Sequence, residues 1–198
     1  MRTSFSGAGL ALLVAPVPAL AQADPAVAPV QALDAGLLQI MKAGKVAGVK
    51  GRAATIGPVI DRVFDIPLMT RLAVGPTWTS IAPADQTALV AAFRRLTVNS
   101  YAVNFDGYDG QSFTVAPQVE TRGGDKLVRT TLNDKGGPVA IAYRLRQSGG
   151  GWRVIDVFYK NGISQLATRR SDFASVLQKG GAKALIARID QLAAKGGA

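Results

Sequence analysis

The apolar residues of this chain change period, and that change limits what the chain can fold into. Up to Tyr101 they recur at helical spacing; from Gln111 to Tyr159 they alternate with polar residues; after Ile163 the helical spacing returns. Helices, then strands, then helices read as an α+β fold. The expected architecture is a helical N-terminal half, an antiparallel meander of three or four strands, and C-terminal helices packed on the sheet.

The helical half is punctuated by residues with definite roles. Val30, Leu33, Leu37, Leu38 and Met41 share one face, so Val30 to Met41 is expected to be helical, ending at Lys42, Gly44, Lys45 and Gly48. Lys45 to Arg52 is small and basic; it reads as a solvated loop and helix start, or as an anion site. Ile56, Val59, Ile60 and Val63-Phe64 continue a helical stripe. Asp65 is placed to cap a helix from Ile66 to Val74, with Pro67 in the first turn, where a missing N–H costs nothing. Leu68 and Leu72, with Met69, are expected to face inward. Gly75-Pro76 stops that helix, Trp78 follows, and Pro83 starts the next. There Leu89, Phe93, Leu96 and Ser100 form a stripe, with Tyr101 at its exit and Arg94 and Arg95 pointing away.

Asp106 to Gly110 is a turn into the strand region. Phe113 and Val115 alternate with Ser112 and Thr114, and Val128, Thr130 and Leu132 with Arg129 and Thr131. Val139, Ile141, Tyr143 and Leu145 fall on one face of a strand, with Arg144 and Arg146 on the other. Turns are expected at 121–125, 133–137 and 148–151. Trp152 to Tyr159 is the most apolar strand and is expected near the middle of the sheet. Burial on one face only requires helices to cover that face. The last two helices are expected from Ile163 to Leu177 and from Ala182 to Ala194, broken at Lys179-Gly180-Gly181.

The start of the chain reads as an export signal over residues 1–21. Arg2 precedes an apolar run from Gly7 to Val17, and Ala19 and Ala21 stand at positions −3 and −1 before Gln22. The run is about half the ~20 residues a spanning helix needs. Residues 22–29 then read as a disordered Pro/Ala tether, and 30–198 as a single domain, located in the periplasm.

Composition excludes several chemistries. The chain has no Cys and no His, so zinc sites built on them, iron–sulfur clusters and Ser-His-Asp or Cys-His catalysis are ruled out. No metal site and no cofactor is expected. The Gly clusters lack the GK[ST] of a phosphate loop. Residues 106–110 (DGYDG) lack the later bidentate Glu of a calcium loop and read better as a turn. Asp156, inside an apolar strand, is the most unusual carboxylate: either a general base beside Tyr143 or a buried acid satisfied by an Arg or backbone N–H. The formal charge of +10 suits an anionic partner, but no aromatic-basic interleaving points to nucleic acid. A sheet cupped over helices can hold an apolar ligand instead. At ~0.8 kcal/mol per buried methylene, a sixteen-carbon chain gains on the order of 10 kcal/mol, without any chemistry. Apolar phase nominates Leu72, Trp78, Phe93, Tyr101, Phe105, Ile141, Tyr143 and Val154 as pocket-lining residues; plain core is an equal reading for each.

Phe64-Asp65, Met69, Leu72, Gly75 and Trp78, then Pro83, Gln86, Phe93, Leu96 and Tyr101, form an ordered set. Trp152 to Val157 and Asn161-Gly162-Ile163-Ser164, followed by Arg169, Phe173, Leu177 and Gly181, extend it over nearly the whole chain. In order and spacing the set resembles the MlaC-like, or toluene-tolerance auxiliary, family of periplasmic phospholipid-binding proteins. Two details resemble its HpnM branch, associated with hopanoid loci: residues 163–173, including Arg169-Arg170, and residues 176–181. The resemblance implies a lipid with its tails between helices and an NTF2-like sheet, and no catalytic residues. It also implies shuttling between outer and inner membranes. The implied partners are a phospholipid or hopanoid, an inner-membrane ABC transporter complex and an outer-membrane lipoprotein complex. A non-catalytic envelope adaptor, or an enzyme using Asp156 and Tyr143, are the alternatives.

Overall fold

The computed structural model describes residues 23–159 and 162–196. The export signal expected over residues 1–21 lies outside them. The helices are α1 (Val27–Ala43), α2 (Gly48–Val63), α3 (Ile66–Val74), α4 (Pro83–Asn104) and α5 (Gln165–Ala194). The strands are β1 (Ser112–Arg122), β2 (Asp125–Asn133), β3 (Val139–Ser148), β4 (Gly151–Tyr159) and the two-residue β5 (Ile163–Ser164). They pair antiparallel in chain order, β1-β2-β3-β4-β5. This is the α+β arrangement that the change of period implies, with one short strand more.

Local chemistry explains the helix ends. The Asp65 carboxylate accepts a 3.0 Å hydrogen bond from the Leu68 N–H, so α3 begins where the sequence places it. Gly75 ends it with φ 78°, a conformation that only Gly adopts cheaply, and an added Cβ would also sit 3.2 Å from Nε of Arg170. The expected break at Lys179–Gly181 is present as a kink: Gly181, at φ 66° and ψ −164°, is non-helical and divides α5 into two helical segments. Lys45–Ala47 is a 3-10 turn leading into α2 at Gly48, the loop and helix start that the sequence implies for 45–52.

The structure differs from the sequence expectations at three places. The stretch expected as a tether is ordered from its third residue: Asp24 accepts from the Ala26 N–H and pairs with Lys126 of β2, Ala26 is buried, and α1 starts at Val27. A single tether-to-sheet ion pair, partly screened from water, holds what composition alone reads as loose. The inward face of α3 is Ile66, Met69, Thr70 and Ala73, with Leu68 and Leu72 half-buried; the true stripe is shifted by one residue. Finally, β4 is not central. It has β3 on one side and only β5 on the other. Its apolarity comes from the helices α2, α3 and α5 that pack on it.

A backbone bridge is among the contacts that join the two halves of the fold. The corner between α2 and α3 docks on β4 through a bridge between Phe64 and Val154, with the Asp65 N–H donating to the Val154 carbonyl at 2.9 Å. Phe64, Val154 and Leu145 are buried there. Because the Asp65 side chain caps α3 while its N–H holds β4, Asp65→Ala removes only the cap. It is expected to cost ~1 kcal/mol, a Tm decrease of roughly 2–4 °C in a thermal melt.

Candidate functional site

Helix α4 packs on α2, α3 and α5 rather than on the strands. Between it and the sheet lies a cavity of about 520 Å³, within the usual range for small-molecule pockets. Helix α4 supplies one wall with Phe93, Leu96, Thr97, Ser100, Tyr101 and Asn104. The sheet supplies the other with Leu132 of β2, Ile141 and Tyr143 of β3, and Val157 and Tyr159 of β4. Phe64 and Met69 close one end, and Gln165, Leu166 and Arg169 of α5 stand at its side. The exposed lining residues Asn104, Tyr159 and Gln165 mark where it opens.

The lining is built from two periods. On α4, Phe93, Leu96, Ser100 and Tyr101 recur at helical spacing. On the sheet, Ile141 pairs with Tyr159 and Tyr143 with Val157 across the β3–β4 ladder, so all four share a face. The ladder slips by one residue between Arg144 and Leu145, with Ile155 as the extra residue. Aromatic contacts stiffen the wall: Tyr101 meets Phe64 edge-on and stacks on Phe105, both with ring centroids 5.8 Å apart.

Two hydroxyls of the helix wall are turned back on the helix. Thr97 Oγ1 donates to the Phe93 carbonyl at 2.9 Å and Ser100 Oγ to the Leu96 carbonyl at 2.7 Å. Their hydroxyls are thereby satisfied, and the wall is left less polar than its composition implies. At the rim, burial lowers the pKa of the Arg169 guanidinium from its ordinary value. Arginine keeps its charge through such a shift.

Beneath the cavity a carboxyl group lies in an awkward position. Asp34 of α1 is 5% exposed, and its Oδ2 accepts a long 3.3 Å hydrogen bond from Thr130 of β2, while Oδ1 has no partner among the described residues. Burial raises its pKa from 3.8 to about 7, against the lowering effect of Thr130. Burial also raises the pKa values of Tyr101 and Tyr143, and the Asp34 charge adds to this, so both phenols stay neutral.

Five of the eight residues nominated from sequence line the cavity: Phe93, Tyr101, Phe105, Ile141 and Tyr143. The other three do not. Leu72 is on the half-exposed side of α3, out of phase with Met69. Trp78 lies in the 3-10 turn Gly75–Ser80, packed against the outer core, where its carbonyl accepts from Gln86. Val154 is on the correct face of β4 but lies under the α2–α3 corner, beyond the end of the cavity. Phe64, Met69, Leu96, Leu132 and Val157 were missed as lining. All lie on apolar stripes visible in the sequence, but only packing separates those that meet each other from those that meet empty space.

Asp156 is a buried acid satisfied by hydrogen bonds within the fold. Its Oδ1 accepts from the Val157 and Leu166 N–H groups at 2.8 and 3.1 Å, and its Oδ2 from Ser164 Oγ at 2.7 Å. It ties β4 to the start of α5 and does not line the cavity.

The family model described as MlaC protein matches residues 31–191. A phospholipid-binding protein from Ralstonia solanacearum, solved in complex with a phospholipid, is similar in structure. Its TM-score is 0.76 at 27% sequence identity, with 88% of this chain and 100% of that chain covered.

The raised Asp34 pKa has a definite sign. Between about pH 4 and about pH 7 the folded protein keeps a proton that the unfolded chain gives up, so stability falls as pH rises through this window and levels off above it. Asp34→Asn should flatten that slope. Urea denaturation at about pH 5 and about pH 8 checks it: the variant's advantage over the parent is expected to be larger at the higher pH.

Proposed function

We propose that this chain, which belongs to the MlaC family, is a lipid-binding protein that holds the acyl part of a phospholipid in the cavity between α4 and the sheet. The observation that carries this reading is the cavity itself: apolar on both walls, with its helix hydroxyls already satisfied and an opening at one end. The structurally similar Ralstonia solanacearum protein, with its bound phospholipid, supports it. Binding of this kind needs burial and no bond-making. The saturated carboxylate of Asp156 agrees with a carrier rather than an enzyme.

In this reading residues 1–21 direct export and are removed, residues 23–196 form one domain, and the protein works in the periplasm. It shuttles lipid between the outer and inner membranes, receiving from or delivering to an ABC transporter complex at one and a lipoprotein complex at the other. No helix among the described residues is long and apolar enough to cross a membrane, which fits a carrier that travels between two of them. Features shared with the HpnM branch leave a hopanoid as the second cargo to test.

Native mass spectrometry of the purified mature protein tests the reading directly. It is expected to carry one lipid mass, and extraction identifies it as phospholipid or hopanoid. An empty protein that takes up no lipid from vesicles would sink the proposal. Leu132→Trp places a larger ring between the cavity and the groove beside it without disturbing a fully buried position. Retained lipid is expected to fall by roughly tenfold, the loss of about two buried methylenes, while far-UV circular dichroism stays unchanged.

A further inference from the structure

The ends of the strands and helices gather the exposed apolar residues on one end of the molecule. Strand ends 112, 133, 139 and 159 lie together through the pairs Ser112–Asn133, Leu132–Val139 and Ile141–Tyr159. Helix α4 finishes at Asn104 and leads into β1 at this same end. The α1–α2 turn is tied to it by Arg52, which donates from Nε to the Ala102 carbonyl and from Nη1 to the Gly44 carbonyl, both at 2.7 Å. The exposed large hydrophobic residues of the described chain are Val46, Val49, Tyr108, Tyr159 and Ile163, and all sit here. The cavity opens here as well, beside Asn104 and Tyr159, and a neighbouring groove continues from Asn104, Phe105 and Leu132 to Met41 and Tyr108.

The α1–α2 turn is the most prominent of these elements. Val46 is fully exposed at the tip of the turn, and Lys42, Lys45 and Lys50 surround it. The sequence contains no acid between Asp34 and Asp61. Among the described residues no carboxylate pairs with any of these lysines; Lys42 instead lies over the Tyr108 ring, 5.2 Å from its centroid. Of the acids at this end, Asp109 pairs with Lys135 and Asp134 accepts from Gln111, while Asp106, whose backbone carbonyl lies near Gly44, pairs with none of the three lysines.

We propose that the turn 44–50, with Tyr108, docks on the surface of an anionic lipid bilayer and so holds the open end of the cavity toward the membrane. The turn offers two small apolar side chains, Val46 and Val49, to the acyl boundary. Long lysine stems keep three charges at the headgroup layer. Single exposed valines flanked by lysines fit a fluid, negatively charged surface better than a rigid protein partner, which would need a contiguous apolar patch and facing carboxylates. The affinity is weak and salt-dependent, as a carrier that must leave again requires. The assignment rests on the lipid-carrier reading for its purpose, but not for its test.

Flotation of the mature protein with vesicles tests it, using phosphatidylcholine alone and phosphatidylcholine with phosphatidylglycerol. Binding is expected only to the anionic vesicles and is expected to fall in high salt. Val46→Asp, and Lys45→Glu with Lys50→Glu, should each reduce it by about tenfold or more. These positions are exposed, and an unchanged thermal melt verifies the fold. The turn variants, measured by native mass spectrometry, should retain as much lipid as the parent; docking and lipid binding can therefore fail separately. Absence of flotation on anionic vesicles, or flotation indifferent to the turn variants, would overturn the assignment. So would loss of a protein partner, with vesicle binding intact, in the turn variants.

Discussion

A sheet with one apolar face must be covered, and in this protein the helices leave the cover incomplete. The outer face of β3 is charged: Arg144 and Arg146 both bond the buried carboxylate of Asp125, whose pKa they lower, Arg146 most. The inner face, with Ile141, Tyr143 and Leu145, has no such outlet. Helices α1, α2, α3 and α5 take up part of it. The longest uninterrupted helix, α4, is held off by its packing on the others, and the space beneath it becomes the cavity. The Phe64–Val154 bridge sets where cover ends and cavity begins. Leu145 and Val154, on one side of that bridge, are core, whereas Tyr143 and Val157, on the other, line open space.

The polar chemistry of the interior follows the same division. Groups that a lipid tail would meet are disarmed by hydrogen bonds to their own helix, as with Thr97 and Ser100. Groups that join elements are saturated, as with Asp156, which joins β4 to α5. Asp34 is the exception, a buried acid with one oxygen unpartnered under the aromatic floor. Its raised pKa is the consequence of burial without a cation.

The opening, the exposed apolar residues and the lysines of the α1–α2 turn share one end because the topology gathers chain ends there. An antiparallel meander returns β1's start, the β2–β3 turn and β4's end to the same edge, and α4 enters the sheet from that edge. A carrier built this way exposes its cargo door and its basic turn to the same surface.

The order of elements, the cap at Asp65, the stop at Gly75 and the kink at Gly181 were legible in the sequence, because each depends on residues within a few positions of one another. Five of the lining residues were legible too, since helix and strand phase is a local property. The rest required the tertiary structure. Leu72 and Met69 differ by three residues on the same short helix, and only the packing of α3 decides which one meets the cavity. Trp78 carries the largest side chain in its region yet faces the outer core, because the 3-10 turn after Gly75 redirects the chain. Asp24 anchors a stretch with no pattern of its own by reaching Lys126, about a hundred residues away. Asp34 shares the helix face of Val30, Leu37 and Met41, but only the fold shows that β2 covers it and what it bonds. The sequence by itself determined which faces are apolar; the tertiary structure decided which of those faces touch and which are left apart, because a period specifies a direction and not a partner.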